Sequence, residues 1–314
     1  MPNNISLTRR ALLAKGLATA SMAMLPVASV ASDEASFSFL VVGDWGHTNS
    51  EGQRQVARAM GVAGRQDHAR FVVSTGDNFY PNGVSGVSDR LWKEAFENVY
   101  VDGGLQGPWY PVLGNHDHKG NVTAEKDYSS VSSRWSMPAD YYRHTEVLGD
   151  DALVELFFLD TLPLAKADDG LMARLFATGA ATQLSWLNAA LAESKATWKI
   201  VVGHHPVFSG GPHGNTPALV AVLKPLFDRH HVAAYINGHD HNLQHILVDG
   251  VSYLTCGAGS EARLVAHPEA AVFSAAVPGF MLVKMTPSAM LLTFLDARGQ
   301  ALYTATLHPR TTGH

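Results

Sequence analysis

The chain has 314 residues, 46% of them hydrophobic and 16% charged, with 28 acidic against 23 basic side chains. Such a composition excludes intrinsic disorder, and a formal charge of −5 argues against non-specific nucleic-acid binding. The length suits one domain of two packed sheets or two domains, and nothing after residue 31 is long and apolar enough to span a bilayer.

Residues 1–31 read as an export signal preceding a domain over 32–314. Thr8-Arg9-Arg10-Ala11-Leu12-Leu13 supplies a charged start, a weakly apolar stretch interrupted by Lys15 follows, and small residues around 28–32 suit cleavage. The Arg pair resembles the twin-arginine signal, although Leu12 stands where Phe is more usual. An ordinary secretory signal or an uncleaved anchor are the other readings. Twin-arginine export carries folded proteins, which suits a chain that acquires metal first, and it places the mature protein in the periplasm or outside the cell. Without residues 1–31, which hold three basic and no acidic residues, the formal charge is 20 − 28 = −8. An anionic substrate must then be drawn by local metal charge.

Along the mature chain, strands alternate with helices. Apolar or β-branched runs at 39–42, 71–75, 109–113 and 199–202 each lead into a glycine, and the run at 232–236 does so through Asn237. Buried strands need such runs, and glycine lets the backbone turn sharply at their ends. Residues 51–69 place Val56, Met60 and Ala63 at helical spacing. Residues 119–150 and 161–181 are polar or Gly-rich and read as loops over the site. Thr182 is a candidate cap for a helix carrying Leu184, Leu187 and Leu191. Thr216-Pro217 opens another, with Leu219, Val220, Leu223 and Phe227 on its apolar face and Pro225 as a kink or end. Cys256 is the only cysteine, so no internal disulfide forms. It follows an apolar run and reads as a buried thiol rather than a ligand. Segments 281–285, 289–295 and 301–307 form an antiparallel meander turning at Asp296-Ala297-Arg298-Gly299. The pattern predicts an α/β layered sandwich.

The five glycines introduce metal-type ligands. They read Gly43-Asp44, Gly76-Asp77-Asn78-Phe79-Tyr80, Gly114-Asn115-His116-Asp117, Gly203-His204-His205 and Gly238-His239-Asp240-His241. Asp77 and Tyr80 are close enough in sequence to approach one ion. A phenol, with an ordinary pKa near ~10, needs a strongly polarising cation such as Fe(III) to bind as phenolate. Asn115 offers a neutral oxygen suited to a divalent ion. His239 and His241 meet one ion or two depending on local backbone geometry. The set exceeds what one zinc site takes, and one shared carboxylate leaves two ions with positions open to water and substrate.

These segments, in this order and with Tyr80 present, resemble the purple acid phosphatases of the calcineurin-like metallophosphoesterase superfamily, most of all the small tartrate-resistant type known from animals. The resemblance covers about residues 37–259 and includes 114–122 (GNHDHKGNV), 182–187 (TQLSWL) and 238–244 (GHDHNLQ). It implies a four-layer sandwich of two packed mixed sheets flanked by helices. It also implies an Fe(III) site of Asp44, Asp77, Tyr80 and His241, and a divalent site (Fe, Zn or Mn) of Asp77, Asn115, His204 and His239. His116 and His213 become the catalytic histidines on the substrate side. The activity implied is hydrolysis of small phosphate monoesters by attack of a metal-bound hydroxide, as in an acid phosphatase.

A phosphodiesterase or nucleotidase on the same scaffold is one alternative, and Tyr80 speaks against it. A non-catalytic metal- or phosphate-binding protein is another, and it has no need of His116 and His213. His47 stands where the animal enzymes usually have glycine, and His205 replaces an aromatic residue. His118 and His245 are candidates for orienting ligands. Asp117 is expected to hydrogen-bond a catalytic histidine, and Trp45 and Phe79 to pack the loops from behind. Neither natural substrate nor oligomeric state is legible.

Overall fold

Strands form where the apolar runs predict them. A computed structural model describes residues 35–149, 152–166 and 170–310; the expected export signal lies outside the described residues. β1 (Phe37–Val42), β2 (Ala69–Ser74) and β3 (Trp109–Pro111) are parallel neighbours, joined first by α1 (Glu51–Gln66). Ser50 caps α1 by accepting the Gln53 N–H at 3.1 Å, and the helix buries Val56, Met60 and Ala63 as their spacing predicts. After α2 (Val122–Asp127) the chain enters a second sheet through β4 (Tyr142–Leu148) and β5 (Ala152–Phe158). Next come α3 (Leu162–Ala165), α4 (Gly170–Glu193), β6 (Trp198–Val202), α5 (Pro217–Arg229) and β7 (Ala234–Asn237). β8 (Leu243–Val248), β9 (Val251–Cys256) and β10 (Phe273–Ala275) complete that sheet. The meander β11 (Gly279–Met285), β12 (Met290–Asp296) and β13 (Ala301–Leu307) returns to the first. Its turn is held by Asp296, whose carboxylate accepts the N–H groups of Arg298 and Gln300 at 2.8 and 2.9 Å.

The first sheet has the order β13-β12-β11-β1-β2-β3 and the second β10-β8-β9-β7-β6-β5-β4. Phe39, Val41, Trp198, Ile200, Leu254 and Val283 belong to one core shared by both sheets. A second core packs Phe157, Val201 and Tyr235 against Leu187 and Leu191 of α4 and Leu223 and Phe227 of α5. α1 lies against the first sheet. The layers therefore run helix, sheet, sheet, helix, the expected four-layer sandwich. Cys256 is a buried free thiol, raised in pKa by burial and donating to the Val41 carbonyl at 3.2 Å.

Two local expectations fail, and of the two readings of Pro225, kink or end, the second is excluded. Residues 119–150 contain α2 and β4. The latter is an edge strand whose Arg143, Thr145 and Val147 face solvent, so its polarity is that of a protected edge. Residues 161–181 contain α3 and the first turns of α4, which puts Thr182 inside a helix instead of at its start; the strong helix formers Leu171-Met172-Ala173 favour the earlier start. α5 continues through Pro225 to Arg229, because buried Leu223 and Phe227 on either side hold the last turns in place.

β1, β2 and β3 run parallel in one sheet, and β5, β6, β7 and β9 in the other. All their carboxyl ends point to one edge, where a site can gather from both sheets.

Candidate metal and catalytic site

Every sequence-predicted ligand follows one of those carboxyl ends. Asp44 follows β1, Asp77 and Tyr80 follow β2, Asn115 follows β3, His204 follows β6, and His239 and His241 follow β7. Asp44, Asp77 and His239 hold left-handed backbone, with φ of 57°, 50° and 70°. Such angles in residues with side chains cost of order ~1–3 kcal/mol each and persist where the surroundings over-determine them. The turn before Asp77 needs glycine: Gly76 has φ of 91°, and a Cβ there would stand 2.8 Å from His204 Nδ1.

The donor atoms fall into two groups that share Asp77. In the first, the Tyr80 hydroxyl lies 3.0 Å from Asp77 Oδ2, 3.2 Å from Asp44 Oδ1 and 3.1 Å from His241 Nε2, and His241 Nε2 lies 3.4 Å from Asp44 Oδ1. In the second, His204 Nε2 lies 3.1 Å from Asn115 Oδ1, 3.2 Å from His239 Nδ1 and 3.5 Å from Asp77 Oδ1. Ligands held at ~2.1 Å from one ion stand roughly 3.0–3.4 Å apart, so each group is spaced as a single ion requires. Asp44, Asp77 and His204 also offer atoms within 4.8 Å of one another, all from buried residues. Two buried carboxylates this close, with no Lys or Arg beside them, suit a cation. The donor chemistry fits a metal pair.

Two of the three ligand imidazoles have their second nitrogen engaged, which fixes the ring and its tautomer. His204 Nδ1 donates to the Thr75 carbonyl at 2.9 Å, and His241 Nδ1 to Glu261 at 2.9 Å. Of the expected catalytic pair, His116 Nδ1 donates to the Pro81 carbonyl at 2.6 Å, leaving Nε2 4.0 Å from Asp77 Oδ2. His213 Nδ1 donates to Asp240 at 2.7 Å, and its ring lies 4.2 Å from that of His239. The structure thus brings all the predicted residues together.

Of the two aspartates beside the ligands, Asp117 departs from expectation. Asp117 does not touch a catalytic histidine. Fully buried, it accepts the backbone N–H groups of Gly114, Asn78 and Phe79 at 2.8, 3.1 and 3.0 Å, tying the β2 and β3 loops together. Asp240 holds His213 and accepts from the Ser209 hydroxyl. The wider motif residues have similar duties. Gln244 accepts the Gly210 N–H at 2.8 Å and steadies the His213 loop. Gln183 clamps the Asp160 N–H and carbonyl at 2.9 and 2.8 Å, while the neighbouring Thr161 hydroxyl accepts the N–H groups of His204 and His205. Glu261 is the partner that the sequence does not reveal, because it reaches His241 only through tertiary folding.

The electrostatics of the donor groups favour a bound cation. Burial, then the Asp44 and Asp77 carboxylates, push the Tyr80 phenol far above its ordinary pKa, so only a cation makes it a phenolate. Burial alone lowers His204, but Asp77 and Asp44 outweigh it and the net shift is upward; burial and then neighbouring histidines lower His239 strongly.

Among the other expectations, Trp45 and Phe79 are fully buried in an aromatic cluster with Trp92, Phe96 and Trp135. His47 stacks on Tyr80, with centroids 3.9 Å apart and planes 15° from parallel. His118 bonds Asp160 at 3.0 Å beside the site, whereas His245 lies elsewhere, between Ser252 and Tyr303. A cavity of about 480 Å³ opens against Asn115 and His239.

Comparison with known proteins agrees with this geometry. Residues 37–243 match the calcineurin-like phosphoesterase family. The chain is 39% identical over 289 residues to purple acid phosphatase 4 of Arabidopsis thaliana, covering 86% of this chain and 83% of that one. It is 36% identical over 299 residues to human tartrate-resistant acid phosphatase type 5, covering 87% and 91%. Among solved structures, GAP50, described as the anchor in the inner membrane complex of Plasmodium, superposes with a TM-score of 0.80 at 26% identity, covering 88% and 90%. With a shared fold, shared motifs and this identity over most of its length, the chain belongs to the purple acid phosphatases within the calcineurin-like phosphoesterase family.

Proposed function

We propose that the protein is a dinuclear-metal acid phosphatase that hydrolyses small phosphate monoesters. The observation that carries this is the pair of donor groups meeting at the two oxygens of Asp77. Asp44, Asp77, Tyr80 and His241 would hold Fe(III); Asp77, Asn115, His204 and His239 would hold a divalent ion, Fe, Zn or Mn. Such ions, when bound, polarise the phosphoryl oxygens and lower the pKa of coordinated water. Two carboxylates and one phenolate only partly neutralise them, which leaves a net positive centre for a phosphate dianion. His116 and His213, each with Nδ1 already donating, present Nε2 to the substrate; in the imidazolium form Nε2 also carries a proton, with which it would hydrogen-bond the phosphate and protonate the departing oxygen. That role is worth ~10²–10⁴-fold in rate.

The test is turnover of p-nitrophenyl phosphate by metal-loaded protein, lost on chelation and restored with iron. His116→Ala and His213→Ala should lower kcat by about 10²-fold or more while metal content holds. A metal-loaded protein without turnover, or variants that shed their metal, would overturn the assignment. The likeness to GAP50 favours a second reading, a non-catalytic scaffold, but that reading leaves the paired His116 and His213 without a purpose. The Arg9-Arg10 start supports export of the folded protein to the periplasm or medium.

A further inference from the structure

The cavity beside the divalent-side donors has a distinctive lining. Its volume of about 480 Å³ falls in the ~300–1,000 Å³ range of small-molecule pockets. Asn115 and His239 place one end of it at the metal-type donors, and Lys119 and Lys166 line it with His118 and His205. Among the described residues, Leu162 is the sole aliphatic side chain in that lining and no carboxylate contributes to it. This is notable in a chain whose acids outnumber its bases, 28 to 23.

Lys119 Nζ stands 3.2 Å from His116 Nδ1, so one ammonium group sits beside a substrate-facing histidine. Several cations are committed elsewhere: Arg54, Arg58, Arg70, Lys126, Arg134 and Lys224 are all in ion pairs. Among the described residues, Lys119 and Lys166 have no acidic partner. Asp160, which bonds the lining residue His118, is buried.

Resting on the phosphatase reading above, we infer that Lys119 and Lys166 form a subsite for a second anion on the leaving-group side of the substrate. The preferred substrates are then small phosphomonoesters whose alcohol carries a carboxylate or a second phosphate. A compact dianion or trianion finds here two ammonium groups without an acidic partner. Exposed charge pairs each change affinity by up to about fivefold, so two together give a preference of roughly tenfold, expressed in KM.

Two substrate pairs isolate the second anion: 3-phosphoglycerate against glycerol 3-phosphate, and fructose 1,6-bisphosphate against fructose 6-phosphate. The metal-loaded wild type should show a kcat/KM ratio of about 10 in favour of the extra anion in at least one pair. That ratio should shrink at high salt and fall towards one in the Lys119→Gln/Lys166→Gln double variant. Ratios of one in the wild type for both pairs, or a ratio that persists in the double variant, would sink the subsite while leaving the phosphatase reading intact. Calorimetric binding of the same compounds to metal-loaded protein reads the preference without turnover. An inactive protein would therefore refute the phosphatase reading, while the ratio of dissociation constants still decides the subsite.

Discussion

Replacing Asp117 by Asn tests how the ligand loops are held together. Its carboxylate receives the N–H groups of Gly114, Asn78 and Phe79 and the Asn78 side-chain amide at 3.2 Å, all in a fully buried setting. Donors converge on both oxygens, Phe79 N–H on Oδ1 and the others on Oδ2. An amide nitrogen in either position leaves at least one buried N–H unsatisfied and facing another donor. An orphaned buried donor costs ~1–3 kcal/mol, so Asp117→Asn should lose about 2–4 kcal/mol. For a chain of this size that lowers Tm by about 4–10 °C. Its neighbour Glu125 provides the contrast. Burial, and then the Asp117 charge, raise the Glu125 pKa well above the carboxylate range; burial and the Asp77 charge raise Asp117 as well, but the backbone N–H groups it accepts counter them, so of this pair Glu125 is the group that keeps the proton. Its Oε2 accepts from Asn78 at 3.1 Å, and its buried Oε1 has no partner. Glu125→Gln keeps the shape and the acceptor and should cost under about 1 kcal/mol at low pH. The folded state of the wild type holds this proton more tightly than the unfolded chain, so its contribution is complete below the unfolded pKa and is lost as pH rises towards the folded one. Relative to wild type, Glu125→Gln should therefore gain above pH 4.5, by up to ~1.4 kcal/mol per pH unit. Urea unfolding at pH 4 and pH 7 measures both effects. An Asp117→Asn protein as stable as wild type, or a wild-type-to-Gln difference that ignores pH, would refute the reasoning.

Other perturbations separate orientation from ligation. Asp240→Asn deprives His213 of its charged partner and should lower kcat about tenfold, with metal content unchanged by elemental analysis. Glu261→Gln should instead weaken metal retention by ~10–100-fold in a chelator competition, because Glu261 fixes His241. Phe79→Ala empties the aromatic cluster behind the Asp77–Tyr80 loop and should cost ~3–5 kcal/mol in unfolding free energy.

The metal-type residues were legible because each follows a glycine at the end of a buried run, a signal carried within a few residues. The layered fold and the meander were legible for the same reason. What the sequence hid depends on tertiary placement. β4 is polar because it is an edge, and only its pairing with β5 distinguishes it from a loop. Asp117 and Asp240 both adjoin ligands, yet one ties backbone loops and the other orients His213. That difference follows from the turns that aim them, including the left-handed backbone of His239. Glu261 lies beyond two further strands from His241 and meets it only in the folded protein. Thr161 and Gln183 likewise act through the backbone of His204 and Asp160, which no local pattern announces.

Asp77 is shared by the two donor groups and would hold both ions, with Tyr80 as phenolate on one of them. The direct measurement is metal stoichiometry together with the visible spectrum of iron-loaded wild type and Tyr80→Phe. The account requires two ions per wild-type chain and a phenolate-to-iron charge-transfer band that vanishes in Tyr80→Phe. A single ion per chain, or a band that survives the loss of the phenol, would contradict it.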